Sequence, residues 1–299
     1  MCRRFEGLCG GSARPNISGC GELVLIVLRT VAEVREFRLT CESVGFVPTM
    51  GALHAGHLKL MESAVEENVV GIGSIFVNPL QFGAGEDLGN YPRREAEDIA
   101  LAEGVGMRAM FCPSVEEMLG RSSTRVTVSG VSDLFEGERR PGHFEGVATI
   151  VAQLFGIVRP TRAYFGLKDL QQCAVVRQMV ADLCMDIDLQ FIETIREESG
   201  LAMSSRNGYF SESDRAWAAH LNRICRVVAE RLVEGRDDFN SVFGWGKNEL
   251  SRHRFEVEYL DVVDFRTMRP VQSVDIYSRL VVAARFAGVR LIDNLAVIE

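Results

Sequence analysis

The sequence predicts an α/β protein, with a Rossmann-like parallel-sheet N-terminal domain followed by a smaller α+β C-terminal domain. Three observations carry that prediction. The chain has 299 residues and is 47% hydrophobic, enough for a sizeable core and long for one ordinary domain. Between Val24 and Arg196, short apolar runs alternate with amphipathic stretches, the rhythm of repeated βα units. Past Tyr209 that rhythm gives way to one long helical stretch and then three strand-like runs, as in a mostly antiparallel sheet.

Residues 1–22 are rich in Gly, Cys, Arg and Ser without periodicity, and read as a disordered extension or the product of a misplaced start site. The first strand is Val24 to Arg29. Strand-like runs follow at Val44 to Thr49, Val69 to Val77 and Met107 to Pro113, separated by amphipathic stretches at His57 to Asn68 and Arg94 to Glu103. A helix near Phe144 to Val158, a strand at Arg162 to Gly166, a helix at Lys168 to Cys184 and a strand at Asp188 to Arg196 complete this part. The division is therefore 1–22, 23–195 and 196–299. A loop from Glu197 to Tyr209 leads to Ser211, which forms a helix-capping pair with Asp214 ahead of a helix reaching about Val233. Phe255 to Val263, Arg279 to Arg285 and Val289 to Leu295 are the last strands.

Composition narrows the function. A net charge of −8 and a pI near 5.3 argue against a nucleic-acid partner, since proteins that grip phosphate backbones are basic over at least one face. No apolar stretch approaches membrane-spanning length, so no membrane partner is expected. Arg3 and Arg4 followed by Leu23 to Leu28 imitate a signal peptide, but the apolar run is too short and flows into Arg29. Eight cysteines without C-x-x-C spacing read as reduced thiols in a cytoplasm.

The strongest chemical signal is Pro48-Thr-Met-Gly-Ala-Leu-His54-Ala-Gly-His57, at the end of a predicted strand and the start of a predicted helix. A phosphate site needs this context: glycines allow close backbone approach, a helix start offers free N–H groups, and imidazoles donate to charged oxygens. The H-x-G-H pattern resembles the nucleotidyltransferase superfamily. Further motifs follow in order: Phe76-Val-Asn78-Pro-Leu-Gln81-Phe82, Tyr91-Pro-Arg93, Arg140-Pro-Gly-His143, Phe165-Gly-Leu-Lys168-Asp169-Leu-Gln171-Gln172, Gly200-Leu-Ala-Met203-Ser204-Ser205-Arg206-Asn207 and Arg290-Leu-Ile-Asp293-Asn294. Together they resemble the pantothenate synthetases, from about Val24 to the end of the chain.

That resemblance implies an ATP-dependent ligase that activates pantoate as an adenylate and joins it to β-alanine. It implies an ATP-binding turn of Met50, Gly51, Ala52, Leu53, His54, Ala55, Gly56 and His57, with His57, His54 and Lys168 as catalytic groups. Gly166, Leu167, Lys168 and Asp169 would make a second ATP contact, Ile195 would lie near the adenine, and Met203, Ser204, Ser205 and Arg206 would form a closing loop. Gln81 and Gln172 would orient pantoate, since neutral amides bind hydroxyl and carboxylate oxygens without blocking attack. Asn78, Arg140, His143 and Tyr91 are further substrate-binding candidates. Asp98 and Glu97 match an acidic pair that would accompany the Mg²⁺ of ATP, and the resemblance also suggests a homodimer. The sequence departs from the family at Leu167 and Leu170, where Glu and Tyr are more usual, with altered ATP affinity as the expected consequence.

Two other readings fit parts of the pattern. Another H-x-G-H adenylyltransferase would keep AMP in its product, and a non-catalytic nucleotide-binding protein would bind ATP without turnover. Deleting residues 1–22 is expected to leave folded yield and turnover nearly unchanged, because the segment precedes the first strand and every motif. A large loss of either in the purified truncated protein would show that the segment packs on the core.

Overall fold

The computed structural model describes residues 24–298, so the expectation for residues 1–22 lies outside them. The first half is a run of β1 (Ile26–Leu28), α1 (Val31–Arg38), β2 (Val44–Thr49), α2 (Ala55–Glu67), β3 (Val70–Ile75), α3 (Glu95–Gly104), β4 (Ala109–Phe111), α4 (Val115–Leu119), α5 (Glu136–Arg139), α6 (His143–Val158), β5 (Arg162–Gly166), α7 (Leu170–Asp182) and β6 (Asp188–Ile192). All six strands are parallel, in the order β1-β4-β3-β2-β5-β6. From β2 the chain builds outward on one side through β3 and β4, then returns to lay β5 and β6 on the other. The switch between β2 and β5 leaves a crevice at their C-terminal ends, where open α/β sheets bind ligands.

Local chemistry explains the boundaries that matter. Thr30 and Glu33 form a capping box that starts α1. The helix α6 is apolar on nearly every side and is buried beneath the sheet, ending where Arg159 turns left-handed just before Pro160.

The second half is helical and then antiparallel: α8 (Glu212–Ala218), α9 (His220–Glu234), α10 (Phe239–Arg252), β7 (Glu256–Asp264), β8 (Arg269–Pro270), β9 (Ser278–Phe286) and β10 (Val289–Ala296). The sheet order is β10-β9-β7-β8. Along β9, Leu280, Val282, Ala284 and Phe286 pack with α9 and α10, while Val281 joins the core of the first half. This sheet is therefore covered on both faces, which is why β9 reads as a continuous apolar run.

Several expectations are corrected. The long helix after Ser211 is two helices, broken at Ala219, although Ser211 does cap the first by accepting from the Asp214 amide. The strand expected to reach Arg196 ends at Ile192, and Lys168 stands in a 3₁₀ turn, Leu167–Asp169, ahead of α7. The helices α1, α4, α5 and α10 had no counterpart in the sequence reading. In α10 the glycines hid a helix: a Cβ at Gly246 would come within 2.7 Å of Val228 and 2.8 Å of Leu260, so glycine permits close packing on α9 and β7. Among the described residues, no helix is long and apolar enough to cross a membrane.

The two halves are tied by a buried charge cluster. Arg290 on β10 donates to both oxygens of Glu136 on α5, at 2.7 and 2.6 Å, and to Glu258 on β7 at 2.9 Å, while the Tyr259 hydroxyl donates to Glu136 at 2.8 Å. Replacing Arg290 with Met is expected to lower unfolding free energy by about 3–5 kcal/mol, the usual penalty for stranding a buried charge, measured by urea titration at pH 7. Burial opposes the charge on Glu136, but Arg290 outweighs it and holds the carboxyl below its ordinary 4.5. A depressed pKa contributes stability above the unfolded value that fades as pH falls through the folded one, so the gap between the two proteins should narrow below pH 4.5.

Candidate active site

At the switch point lies a cavity of about 220 Å³ whose wall draws on both halves of the chain. From the end of β2 come Met50, His54, Gly56 and His57, and from the segment after β3 come Asn78, Gln81 and Tyr91. Arg140 and His143 frame the start of α6. Gly166, Lys168, Asp169 and Gln172 follow β5, and Ile195, Met203, Ser204, Ser205 and Arg206 close the far side. The structure thus brings together nearly all the residues the motifs single out. Gly51, Ala52, Leu53 and Ala55 form the turn behind this wall.

That turn is shaped by a residue expected elsewhere. The amides of Ala52 and Leu53 donate to the two oxygens of Asp98 at 2.8 and 2.7 Å, and Asp98 is only 2% exposed. Gly51 and Ala52 both have positive φ, and a Cβ at Gly51 would lie 2.9 Å from the Asp98 carboxylate and 3.0 Å from Ile75, so only glycine fits. The expected metal role for Asp98 and Glu97 is corrected. Asp98 is engaged by backbone amides, whereas Glu97 is exposed and faces Arg94 at 3.6 Å. The two carboxylates do not converge, and among the described residues no group of three or more His, Cys, Asp or Glu could hold a metal ion.

Several amides around the helix start are engaged within the turn itself, while those of Met50, His54 and Ala55 make no hydrogen bond to a described residue. Besides Ala52 and Leu53, the Gly51 amide donates to Thr49 Oγ1, the Gly56 amide to His54 Nδ1 and the His57 amide to the His54 carbonyl. His54 is itself the N-cap of α2. The imidazoles of His54 and His57 lie 4.1 Å apart, centroid to centroid. Burial pushes the His54 pKa down to about 4, helped by Lys168. Burial, with His54 beside it, pushes His57 down to about 3. Both rings are therefore neutral near pH 7, and His57 Nδ1 is buried without a hydrogen-bond partner among the described residues.

Around the opposite wall, several candidates brace the cavity. Asn78 donates to the Gly146 carbonyl and to Gln81 Oε1, both at 3.0 Å, and accepts from the Leu80 amide. His143 Nδ1 donates to the Gln81 carbonyl at 2.9 Å and its Nε2 accepts from Arg140, while burial and Arg140 lower its pKa to about 4. Arg140 grips Glu86 with two bonds of 2.7 Å. Gln81 Nε2 reaches Met50 Sδ at 3.1 Å. Gln172, by contrast, lines the cavity and makes no hydrogen bond to a described residue. Leu167 and Leu170 pack into the core and neither lines this cavity, although Leu170 borders the smaller hollow beside it.

Sequence reasoning missed the groups that hold Lys168 and the loop in place. Asn294 Nδ2 donates to the carbonyls of Leu167 and Lys168, at 2.7 and 3.1 Å, and the adjacent Asp293 takes Arg196 at 2.7 Å. Arg206 is paired with Asp87 by bonds of 3.0 and 2.8 Å, across the cleft between the halves. The motif Arg290 to Asn294 was visible; its connection to Lys168 needed long-range geometry.

The parallel sheet, its switch-point cavity and the paired imidazoles define a nucleotide-binding α/β protein of the H-x-G-H type. The chain belongs to the pantoate-beta-alanine ligase family, whose model matches residues 26–296. A pantothenate synthetase from Herpetosiphon aurantiacus is 45% identical over 272 residues, 90% of this chain and 99% of that protein. The crystal structure of a pantothenate synthetase from Thermus thermophilus superposes with a TM-score of 0.87 at 46% identity, covering 92% of this chain and all of that one. A pantoate-beta-alanine ligase from Francisella tularensis, solved with beta-gamma ATP and beta-alanine, gives 0.78 at 31% identity, covering 92% and 98%.

Changing Asp98 to Asn removes one acceptor and sets an N–H₂ against a backbone N–H. Turnover is expected to fall at least about tenfold, since an unpaired buried amide costs about 1–3 kcal/mol, with no recovery on raising Mg²⁺. Recovery at high Mg²⁺ in steady-state assays would reinstate the metal role.

Proposed function

We propose that this site joins pantoate to β-alanine with ATP, giving pantothenate, AMP and pyrophosphate through a pantoyl adenylate. The observation that carries this reading is convergence: two neutral imidazoles, Lys168 and the unengaged amide of Gln172 face one cavity in a member of the ligase family.

In the first step a pantoate carboxylate oxygen attacks the α-phosphorus, and the bond to pyrophosphate breaks with its electron pair on the leaving group. Gln81 and Gln172 orient the acid. His54 and His57, being neutral, donate hydrogen bonds, whereas Lys168 and Arg206 supply the fixed positive charge that the departing pyrophosphate needs. Met203 to Arg206 close over the triphosphate, with Ile195 beside the adenine and Tyr91 completing the wall. In the second step the free amine attacks the acyl carbon, and the carbon–oxygen bond to AMP breaks. The protein contributes orientation and preorganised donors.

Mg²⁺ would accompany ATP as part of the substrate and would supply charge neutralisation at the phosphates, with Lys168 and Arg206 as the protein's own cations there. The setting we propose is the cytoplasm, with the protein a homodimer as the family resemblance suggests, and with neither nucleic acid nor membrane as partner.

An omission assay tests the function: ATP with pantoate alone should release about one pyrophosphate per site, and β-alanine should then discharge free AMP and pantothenate. AMP retained in a stable product would favour another adenylyltransferase. His57→Ala should reduce turnover by about 10² to 10³ with an unchanged fold, the usual effect of removing one preorganised donor. Near-normal turnover would remove His57 from the mechanism.

A further inference from the structure

Ile195 and residues 203–206 wall the active-site cavity, yet they are held by side chains that do not line it. Residues 195–203 fold back as a small hairpin. The Met203 amide donates to the Ile195 carbonyl at 3.0 Å, the Glu197 amide donates to the Leu201 carbonyl at 2.9 Å, and Arg196 forms a bridge with Ala202. Gly200 makes the bend: its φ is +92°, and a Cβ there would lie 3.2 Å from Asn222 Oδ1.

Two adjacent residues fasten this hairpin. Arg196 donates to both oxygens of Asp293, at 2.7 and 3.0 Å, and to the carbonyls of Gly200 and Asn294, each at 3.2 Å. One planar guanidinium thus joins the bend of the hairpin to β10. Asp293 is in turn fixed by the Asn294 amide at 2.8 Å and by the Asn222 side chain on α9 at 3.3 Å. Glu197 has other partners. It accepts from Arg215 on α8 at 2.9 Å and from Asn207 at 2.7 Å, and the buried Asn207 also donates to the Ala202 carbonyl at 3.0 Å. Since Asn207 directly follows Arg206, residues 203–206 are secured at both ends, through the hairpin at Met203 and through Glu197 at Asn207.

Arg196, Glu197, Asn207 and Asp293 are all absent from the cavity wall, so any effect on the reaction passes through the residues they hold. A site assembled from separate segments binds its ligand more weakly when those segments must be ordered on binding. Gln81 and Gln172, which orient pantoate in the reading above, stand elsewhere, after β3 and in α7. We propose that Arg196 and Glu197 are positioning residues for the reaction, holding Ile195 and residues 203–206 in a preformed arrangement that serves ATP and not pantoate. The assignment rests on the ligase reading.

The test begins with Glu197→Ala, which takes the acceptor from Asn207 but leaves Arg215, with a side chain 48% exposed, to water. The Michaelis constant for ATP should rise about 10- to 100-fold, the range for losing a hydrogen bond to a charged group, while that for pantoate should stay within about threefold. Glu197→Gln keeps an oxygen for Asn207 and should recover most of the loss. Arg196→Lys keeps the charge beside Asp293 but lacks the fork that reaches both carbonyls, and should weaken ATP with the same selectivity. Equal rises for ATP and pantoate would overturn the proposal. So would lower turnover with both constants unchanged, because the two residues would then serve only the fold, and so would a Glu197→Gln protein as impaired as Glu197→Ala. Calorimetric titration with a non-hydrolysable ATP analogue keeps the two conclusions apart. If the unaltered protein bound the analogue but released no pyrophosphate with ATP and pantoate, the ligase reading would fail, while the variants' affinities for the analogue would still decide the role of Arg196 and Glu197.

Discussion

The placement of both imidazoles hangs on the two hydrogen bonds that Ala52 and Leu53 donate to Asp98. Ala52 holds a left-handed conformation, a strain of about 1–3 kcal/mol for a residue with a side chain, and persists there because its amide and the next are gripped by a buried carboxylate. With the turn fixed, His54 falls at the N-cap of α2 and its ring accepts the Gly56 amide, which sets the first turn of the helix. His57 is then carried against His54 by the helical spacing. Were Asp98 to release the turn, both rings would lose their common reference.

Neutral rings change how charge is distributed over the site. Burial keeps His54 and His57 unprotonated at physiological pH, so positive charge at the cavity belongs to Lys168, Arg140 and Arg206. Arg140 and Arg206 are held in place by carboxylates, Glu86 and Asp87. Lys168 is positioned through its backbone, by the Asn294 amide reaching across from β10. The second half of the chain therefore does more than cover the cavity, because it sets the height of the 3₁₀ turn on which the lysine stands.

How much of this was legible in the sequence follows from the range of the interactions. The bounds of β2 and β5 could be read directly, since each is an apolar run ended by a glycine- or proline-bearing turn. The cavity wall was legible by resemblance, because its residues lie in compact motifs. Asp98 was expected beside a metal because it stands next to Glu97 in an acidic pair, whereas its observed partners are the backbone amides of residues 45 and 46 positions away. The burial of Leu167 and Leu170 was not legible, because it depends on the 3₁₀ turn ahead of α7 that directs both side chains into the core. The glycines of α10 imitated a loop, and only the proximity of α9 and β7 explains them.

Two of the ties between the halves differ in how far they are exposed to water. The cluster of Arg290, Glu136, Glu258 and Tyr259 is largely buried, and separating it would strand charges in a low-dielectric interior. The pair of Arg206 and Asp87 is partly open to solvent, with side chains 33% and 25% exposed, so water can replace either partner as the contact breaks. Among the described residues, the other hydrogen bonds of that loop with the first half are long ones, from Tyr91 to Ser205 and from Tyr209 to the Asn90 carbonyl, each at 3.4 Å. The loop is thus tied to the first half by the more exposed of these two contacts, while the buried cluster keeps β10 and its Asn294 in register with Lys168. The position of the loop and the geometry of the lysine therefore rest on separate interactions.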